Sequence, residues 1–267
     1  MVLTREKPTG GFTAWCVHRC RLPCTGVNRT AGTIGGRPCE WHRPPQSSGS
    51  VLLYLHGGAY LIGGPHTHRA ICANLAKHGQ LEVCALDYRL APEFVYPAAR
   101  DDALAAYCAL LDLGYTPAQV VIGGDSAGGN LSLVTSLRLR ELGMPQPAAL
   151  VCLSPVTDFT FAQLHQPPAG DPLLHRQWIE QAVALYCPQD VPRHDPGLSP
   201  LLSQVDEDEL LLNDSLRFAE KAKAAGVVVR LERYPQLWHL FQAHAGLLKA
   251  ADFALGRVVS FLREPGC

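Results

Sequence analysis

The feature that most constrains the fold is the alternation of short apolar runs with longer segments of helical periodicity. The apolar runs have the length and continuity of buried strands, and they lie at 51–55, 81–86, 119–122, 148–153 and 227–234. Segments with apolar residues at helical spacing separate and follow them, at 68–78, 97–113, 127–141, 213–225 and 247–262. Strands that alternate with such helices form a mostly parallel sheet with helices on both faces. The sequence therefore predicts an α/β fold.

Two segments fall outside this alternation. Residues 1–48 are rich in Gly, Pro, Thr, Arg and Cys, have weak periodicity, and lead into a loop. Residues 158–200 contain many prolines and one predicted helix at 175–186. We expect a small N-terminal cap segment at 1–48 and one α/β domain at 49–267, with the insertion at 158–200 contributing to the cap above the sheet.

Charge and hydropathy restrict the partners. The 267 residues carry a formal net charge of −1, and 18% of them are charged, so there is no basic field to attract nucleic acid. No apolar run reaches the roughly 18 residues that a membrane-spanning helix needs. The first ten residues lack the apolar region of a secretory signal. We expect a cytoplasmic protein with neither nucleic acid nor membrane as a partner.

The ten cysteines are predicted to be reduced thiols rather than a disulfide framework. Four of them lie in apolar stretches, where a thiol acts as a small hydrophobe: Cys72, Cys84, Cys108 and Cys152. A second group has the residue types of a zinc site: Cys16, His18, Cys20, Cys24, Cys39 and His42. Because this group contains no Cys-x-x-Cys pair, we expect no metal there.

A candidate nucleophile stands between the strand ending at Ile122 and the helix beginning near Ala127. The segment 124–128 reads Gly-Asp-Ser-Ala-Gly and fits the pattern Gly-x-Ser-x-Gly. Small flanking residues, Gly124 and Gly128, permit a sharp strand-to-helix turn that exposes the serine hydroxyl. Ser126 is therefore the candidate nucleophile, with Asp125 beside it. The helix N-terminus behind it favours negative charge developing nearby.

A candidate oxyanion hole follows the first apolar run. His56-Gly57-Gly58-Ala59 forms a loop of small residues whose N–H groups can approach a substrate. The N–H groups of Gly58, Ala59 and Ala127 together would stabilise a tetrahedral oxyanion. A simple glycine turn after a strand would also explain these glycines. It would not explain why they occur together with the Gly-x-Ser-x-Gly motif at 124–128.

A serine nucleophile requires a base and an orienting acid. His239 follows the predicted strand at 227–234 and is the favoured base, whereas His244 lies near the last helix and reads as a solvated or capping residue. The acid is sought in the run Asp206-Glu207-Asp208-Glu209, of which most members are expected to be solvated.

With these residues assembled, the chain from about residue 50 onward resembles the hormone-sensitive-lipase family of α/β-hydrolases, also called bacterial esterase family IV. The resemblance rests on the segments 54–60 (YLHGGAY), 87–93 (DYRLAPE), 123–130 (GGDSAGGN) and 238–242 (WHLFQ). It implies Ser126 as nucleophile, His239 as base and Asp208 as acid, with Asp206 and Asp214 as alternatives. It also implies that the motif at 87–93 is structural.

Three departures from the family pattern are visible. Ala59 stands where the family has a third glycine, and a positive φ there is unfavourable for alanine. The stretch between Pro200 and the acidic run is shorter than in the family, so the strand before the acid is short or entered abruptly. The N-terminal cap is also shorter than the family's helical cap, which predicts a more open acyl pocket.

The function implied is a carboxylic-ester hydrolase that cleaves short-chain acyl esters through an acyl-enzyme, without cofactor or metal. A metabolite-specific deacetylase or amidase with the same triad is an alternative, and so is a binding protein that kept the fold and lost catalysis. The resemblance also allows a homodimer formed through 227–234 and 247–262, although the apolar stripe of that last helix is equally explained by packing on the sheet.

Overall fold

The computed structural model describes residues 26–162, 164, 171, 174–200, 211–234 and 237–264. The strands are β1 Asn28–Ile34, β2 Arg37–Arg43, β3 Val51–Leu55, β4 Glu82–Leu86, β5 Val120–Asp125 and β6 Ala149–Leu153. The helices are α1 Arg69–Gly79, α2 Ala98–Asp112, α3 Ala127–Glu141, α4 Arg176–Tyr186, α5 Leu212–Ala224 and α6 Lys249–Leu262. Short 3₁₀ turns lie at Pro65–Thr67, Pro117–Gln119 and Phe241–His244.

The described strands form one sheet in the order β1-β2-β4-β3-β5-β6. Strand β3 pairs in parallel with β4 on one side and with β5 on the other, and β5 pairs in parallel with β6. Consecutive parallel strands are joined through helices, which places the carboxyl ends of β3 and β5 at the same edge. The predicted α/β fold with a mostly parallel sheet is confirmed.

Helices cover both faces of the sheet, and each face has its own hydrophobic cluster. Helices α2, α3 and α4 pack on one face, against side chains such as Leu53, Leu55 and Ile122. Helices α1 and α6 pack against each other and on the opposite face, against Leu52 and Tyr54. The apolar stripe of α6 thus faces the sheet, because Ala251, Leu255 and Val259 are buried. The continuous apolar runs of β3 and β5 follow from this two-sided burial.

Residues 28–43, which the sequence predicts to be part of an N-terminal cap segment, form two further strands of the sheet. Strands β1 and β2 are an antiparallel hairpin, and β2 pairs antiparallel with β4. The hairpin turn is Gly35-Gly36, and both residues have positive φ, 55° and 76°. A two-residue turn of this kind suits the twist of antiparallel strands, and Gly-Gly is a sequence signal for it.

The segment 227–234 is not a strand, so that prediction is wrong. Its backbone is irregular, and Val227, Val228 and Leu231 are exposed, Val228 to 82%. A strand needs a neighbouring strand to accept its backbone hydrogen bonds, and β6 is the last strand of the described sheet on that side. This apolar, β-branched run therefore lies outside the described sheet.

The described cysteines are free thiols. Cys72 and Cys84 are fully buried, as predicted, while Cys108 and Cys152 are partly buried. Cys39 and His42 lie on opposite faces of β2, since residues three apart on a strand point in opposite directions, so they cannot share one metal ion. The other members of that group lie outside the described residues. Within the described ranges, no cluster of His, Cys, Asp or Glu could hold a metal, and no helix is long and apolar enough to cross a membrane.

Candidate active site

Ser126 occupies the sharp turn between β5 and α3. Its backbone has φ 52° and ψ −116°, a strained conformation for a side-chain-bearing residue. Its N–H donates to the Leu153 carbonyl at 2.9 Å, and its carbonyl accepts the N–H of Asn130 at 3.0 Å. A Cβ at Gly124 or Gly128 would collide with the carbonyl oxygen of Leu55. The glycines on both sides of the serine are therefore required by the close approach of β3.

The loop after β3 faces this turn. Gly58, Ala59 and Tyr60 have φ of 118°, 54° and 63°, so the alanine does adopt the conformation that is unfavourable for it. The carbonyl of Gly58 accepts the N–H groups of Leu61 and Ile62 at 3.0 and 3.1 Å, which closes the loop on itself. Ala59, Ser126 and Ala127 line one cavity, so the structure brings the predicted oxyanion loop and the predicted nucleophile together.

Asn130 ties this loop to two distant segments. Its side-chain carbonyl accepts the hydroxyl of Tyr60 at 2.6 Å, and its amide donates to the carbonyls of Val156 and Leu198 at 2.7 and 2.9 Å. The side chain is almost fully buried. We assigned no role to Asn130 from the sequence, although it closes the motif at 123–130.

His56 is a structural member of the loop. Its ring stacks on Tyr88 with centroids 4.2 Å apart, its Nδ1 lies 2.7 Å from the carbonyl oxygen of Gly57, and its own carbonyl accepts the Tyr88 hydroxyl at 2.6 Å. Burial, together with the nearby charge of His68, lowers the pKa of His56 to about 3. The imidazole is therefore neutral over the whole working range of pH.

The motif at 87–93 supports the loop from outside. Arg89 binds both carboxylate oxygens of Asp102 on α2, with its Nη2 2.7 Å from Oδ1, and Arg37 approaches the same carboxylate at 3.5 Å. The N–H of Ala91 donates to the carbonyl of Tyr60 at 2.8 Å. This motif holds the backbone of the loop without reaching the cavity.

His239 is buried, with 5% of its surface exposed, in the irregular segment before the 3₁₀ turn Phe241–His244. Burial lowers the pKa of His239, while the charges of Asp171 and Asp125 act to raise it. The imidazole Nδ1 is buried and finds no hydrogen-bond partner within the described ranges. His244 lies at the end of the turn with its ring edge-on to Trp238.

Asp206 and Asp208 lie outside the described residues. Asp214 is in the first turn of α5, and its side chain is likewise outside the described part.

The cavity at Ser126 has an empty volume of about 410 Å³, a figure that includes adjoining open solvent. Its walls are mainly aromatic and aliphatic side chains from α4 and the segment after β6, including Phe159, Phe161, Leu174, Trp178, Ile179 and Tyr186. At one end Tyr60 and Tyr186 stack with centroids 3.9 Å apart. Residues of the 158–200 insertion thus cover the serine with an apolar pocket.

Comparison with known proteins agrees with this geometry. A family model described as alpha/beta hydrolase fold matches residues 52–243. An acetyl-hydrolase of Streptomyces hygroscopicus is 36% identical over 242 residues, which are 86% of this chain and 81% of that protein. An esterase of Acinetobacter venetianus is 37% identical over 250 residues, 87% of this chain and 80% of that protein.

Solved structures give the same result. A hormone-sensitive lipase from a metagenome library superposes with a TM-score of 0.86 at 36% identity, covering 92% of this chain and 89% of that one. EstE5, soaked with ethyl alcohol, superposes with a TM-score of 0.84 at 35% identity, covering 89% and 84%. The fold and the serine turn define an α/β-hydrolase, and within that class the chain belongs to the hormone-sensitive-lipase family.

Proposed function

We propose that this protein hydrolyses short-chain carboxylic esters through an acyl-enzyme formed on Ser126. The protein is a carboxylic-ester hydrolase, in keeping with its esterase relatives, which include an ethyl acetate hydrolase of Pseudomonas putida. The observation that carries the proposal is the serine on a strained strand-to-helix turn, which opens into an apolar pocket beside a loop of backbone N–H groups.

In the proposed reaction His239 removes the proton of the Ser126 hydroxyl as the oxygen attacks the ester carbonyl. The N–H groups of Gly58, Ala59 and Ala127 bind the oxyanion of the tetrahedral intermediate. His239 then gives its proton to the leaving alcohol, and the acyl group stays on Ser126. Water, activated by the same imidazole, attacks the acyl-enzyme and releases the carboxylic acid.

The lowered pKa of His239 suits this role. Burial keeps the imidazole neutral, so it can accept a proton near neutral pH. The proposed acid is Asp208, which would accept the Nδ1–H of His239 and fix its tautomer. The Nδ1 of His239 is buried and has no hydrogen-bond partner among the described residues, so it needs an acceptor of this kind.

The proposed acyl preference follows from the pocket. Helix α4 and the stacked pair Tyr60 and Tyr186 bound the space in front of Ser126, which favours acyl groups of a few carbons over long chains. Small-molecule esters are the substrates. A cytoplasmic location and a homodimer remain predictions.

The test is hydrolysis of p-nitrophenyl esters from acetate to palmitate. Ser126→Ala and His239→Asn should each lower kcat by at least about 10³-fold. Asp208→Asn should do the same, whereas the matched variants Asp206→Asn and Asp214→Asn should keep wild-type kcat. A folded wild type without esterase activity contradicts the proposal, and activity on the corresponding acyl p-nitroanilides alone would favour an amidase. Full activity of Asp208→Asn with loss in one matched variant would move the acid to that position.

A further inference from the structure

The carboxylate of Asp125 is buried directly beside the nucleophile. It is fully inaccessible to solvent. Its Oδ1 accepts the hydroxyl of Tyr54 at 2.7 Å and the N–H of Gly57 at 3.1 Å. Its Oδ2 lies 3.3 Å from Nε2 of His68. A buried carboxylate is stable only if hydrogen bonds and an opposite charge replace its hydration, and His68 is the group in contact that can carry that charge.

The contacts of His68 indicate that both ring nitrogens carry protons. Nε2 faces the Asp125 carboxylate, which only accepts hydrogen bonds. Nδ1 lies 2.8 Å from the hydroxyl oxygen of Thr67 and 3.4 Å from the carbonyl oxygen of Gly64. The Thr67 hydroxyl donates its own proton to that carbonyl at 2.7 Å, which leaves its lone pairs toward Nδ1. Two acceptors at Nδ1 and one at Nε2 fit an imidazolium.

The charges around His68 agree with this assignment. Burial acts to lower the pKa of His68, but the charge of Asp125 and its hydrogen bond raise it above the ordinary value. The pKa of Asp125, which burial would raise, is lowered by His68 and Tyr54.

The other titratable neighbours of His68 do not replace this pair. His56, with ring centroid 5.7 Å away, is neutral because its pKa is about 3. Tyr54, with ring centroid 6.0 Å away, and Cys72 one turn along α1 have raised pKa values because of burial. At the same end of α1, His66 is exposed, and Arg69 is paired with Glu40. Asp87 lies beside Gly64, in the preceding turn.

Asp125 transmits this pairing to the oxyanion loop. Gly57 is the residue before Gly58, and its N–H is held by Oδ1 of Asp125. A Cβ on Gly57 would collide with that carboxylate, so loop and carboxylate are in direct contact. Ala59 and Tyr60 have positive φ, a conformation that the loop keeps only if it is anchored from outside. The anchors are Asp125 at Gly57 and Asn130 at Tyr60.

We propose that His68, as an imidazolium, is a positioning residue for ester hydrolysis: it fixes the Asp125 carboxylate, which in turn holds the Gly57 N–H and sets the geometry of the oxyanion loop. This inference rests on the proposed function, because the loop acts on the oxyanion of that reaction. His68 is not among the residues that line the cavity at Ser126. Its effect is expected on the transition state, in which the oxyanion forms, and not on ground-state binding.

The first experiment compares His68→Leu with His66→Leu, a control that removes an exposed imidazole from the same turn. With p-nitrophenyl acetate, His68→Leu should lower kcat about 10- to 100-fold, less than the direct loss of an oxyanion donor, with KM changed by less than about twofold. His66→Leu should keep wild-type values. His68→Gln, which returns a donor toward Asp125, should recover part of kcat. Wild-type kcat in His68→Leu, or a loss confined to thermal stability, overturns the proposal.

The second experiment reads the charge of His68 without using activity. In ¹⁵N-histidine-labelled full-length protein, the ring nitrogens of His68, assigned with His68→Gln, should both remain protonated at pH 7.5, about one unit above the ordinary histidine pKa. In Asp125→Asn the same ring should become neutral at that pH. A neutral His68 ring in the wild type overturns this inference, whether or not the wild type is active. An inactive wild type, by contrast, refutes the proposed function and leaves the charge of His68 to be read from the spectrum.

Discussion

Asn130 offers the sharpest test of how the active-site loop is held. The substitution Asn130→Ala removes three buried hydrogen bonds at once, to Tyr60, Val156 and Leu198. Each bond contributes about 1 kcal/mol net, and each buried partner left unsatisfied costs about 1–3 kcal/mol. We therefore expect the free energy of unfolding to fall by about 3–5 kcal/mol, a large part of the roughly 5–15 kcal/mol of a typical domain.

The control for Asn130→Ala is Asn74→Ala. Asn74 is also buried in a helix, but its amide makes one local bond, to the Ala70 carbonyl at 2.9 Å. Guanidinium unfolding of both variants measures the difference, and Asn74→Ala should lose only about 1 kcal/mol. Because Tyr60 belongs to the oxyanion loop, kcat should fall in Asn130→Ala alone. Equal losses of stability in the two variants would refute the reasoning that Asn130 joins separate segments of the fold.

Three further outcomes are expected. Ala59→Gly should raise the midpoint of thermal unfolding slightly, because a φ of 54° costs alanine roughly 1 kcal/mol that glycine avoids. Calorimetry of the variant and the wild type measures this difference in midpoint. Burial acts to raise the pKa of Glu40, but the neighbouring His42 and the hydrogen bonds from Arg69 lower it to about 2. The stability that the Glu40 carboxylate contributes is therefore complete above about pH 5 and is lost as the pH falls toward 2. In Glu40→Gln, the free energy of unfolding should depend less steeply on pH over that range. Trp178→Ala should raise kcat/KM several-fold for p-nitrophenyl hexanoate relative to acetate, and an unchanged ratio would show that Trp178 does not limit acyl length.

The central sheet could be predicted because its strands are buried on both faces. The run at 51–55 and the helix at 127–141 have the predicted bounds, since continuous apolar runs and helical spacing are local properties of the sequence. The hairpin of β1 and β2 was missed because β1 is an edge strand whose residues are exposed except Ile34, so it carries little hydrophobic pattern. Gly35-Gly36 was the available signal.

The segment 227–234 shows the opposite failure. Its composition is typical of a strand, but strand formation depends on a partner that the segment itself cannot reveal.

The residues of the site likewise divide into those that the sequence predicts and those that it does not. Ser126 and the loop at 56–59 could be recognised because each motif stands at the end of a predicted strand. His68 and Asn130 could not, because their roles depend on contacts with residues more than fifty positions away along the chain, such as Asp125 and Tyr60. No local spacing encodes such contacts.

The walls of the pocket also belong to the hydrophobic cluster that holds the sheet. Ile179 and Ala182 of α4 line the cavity and are part of the same buried cluster as Leu55 and Ile122. Removing a large side chain from such a cluster typically costs about 2–5 kcal/mol. Variants selected for bulkier acyl groups will therefore lose thermal stability as they accept a wider range of substrates. Directed evolution of this enzyme should begin from a thermostabilised parent.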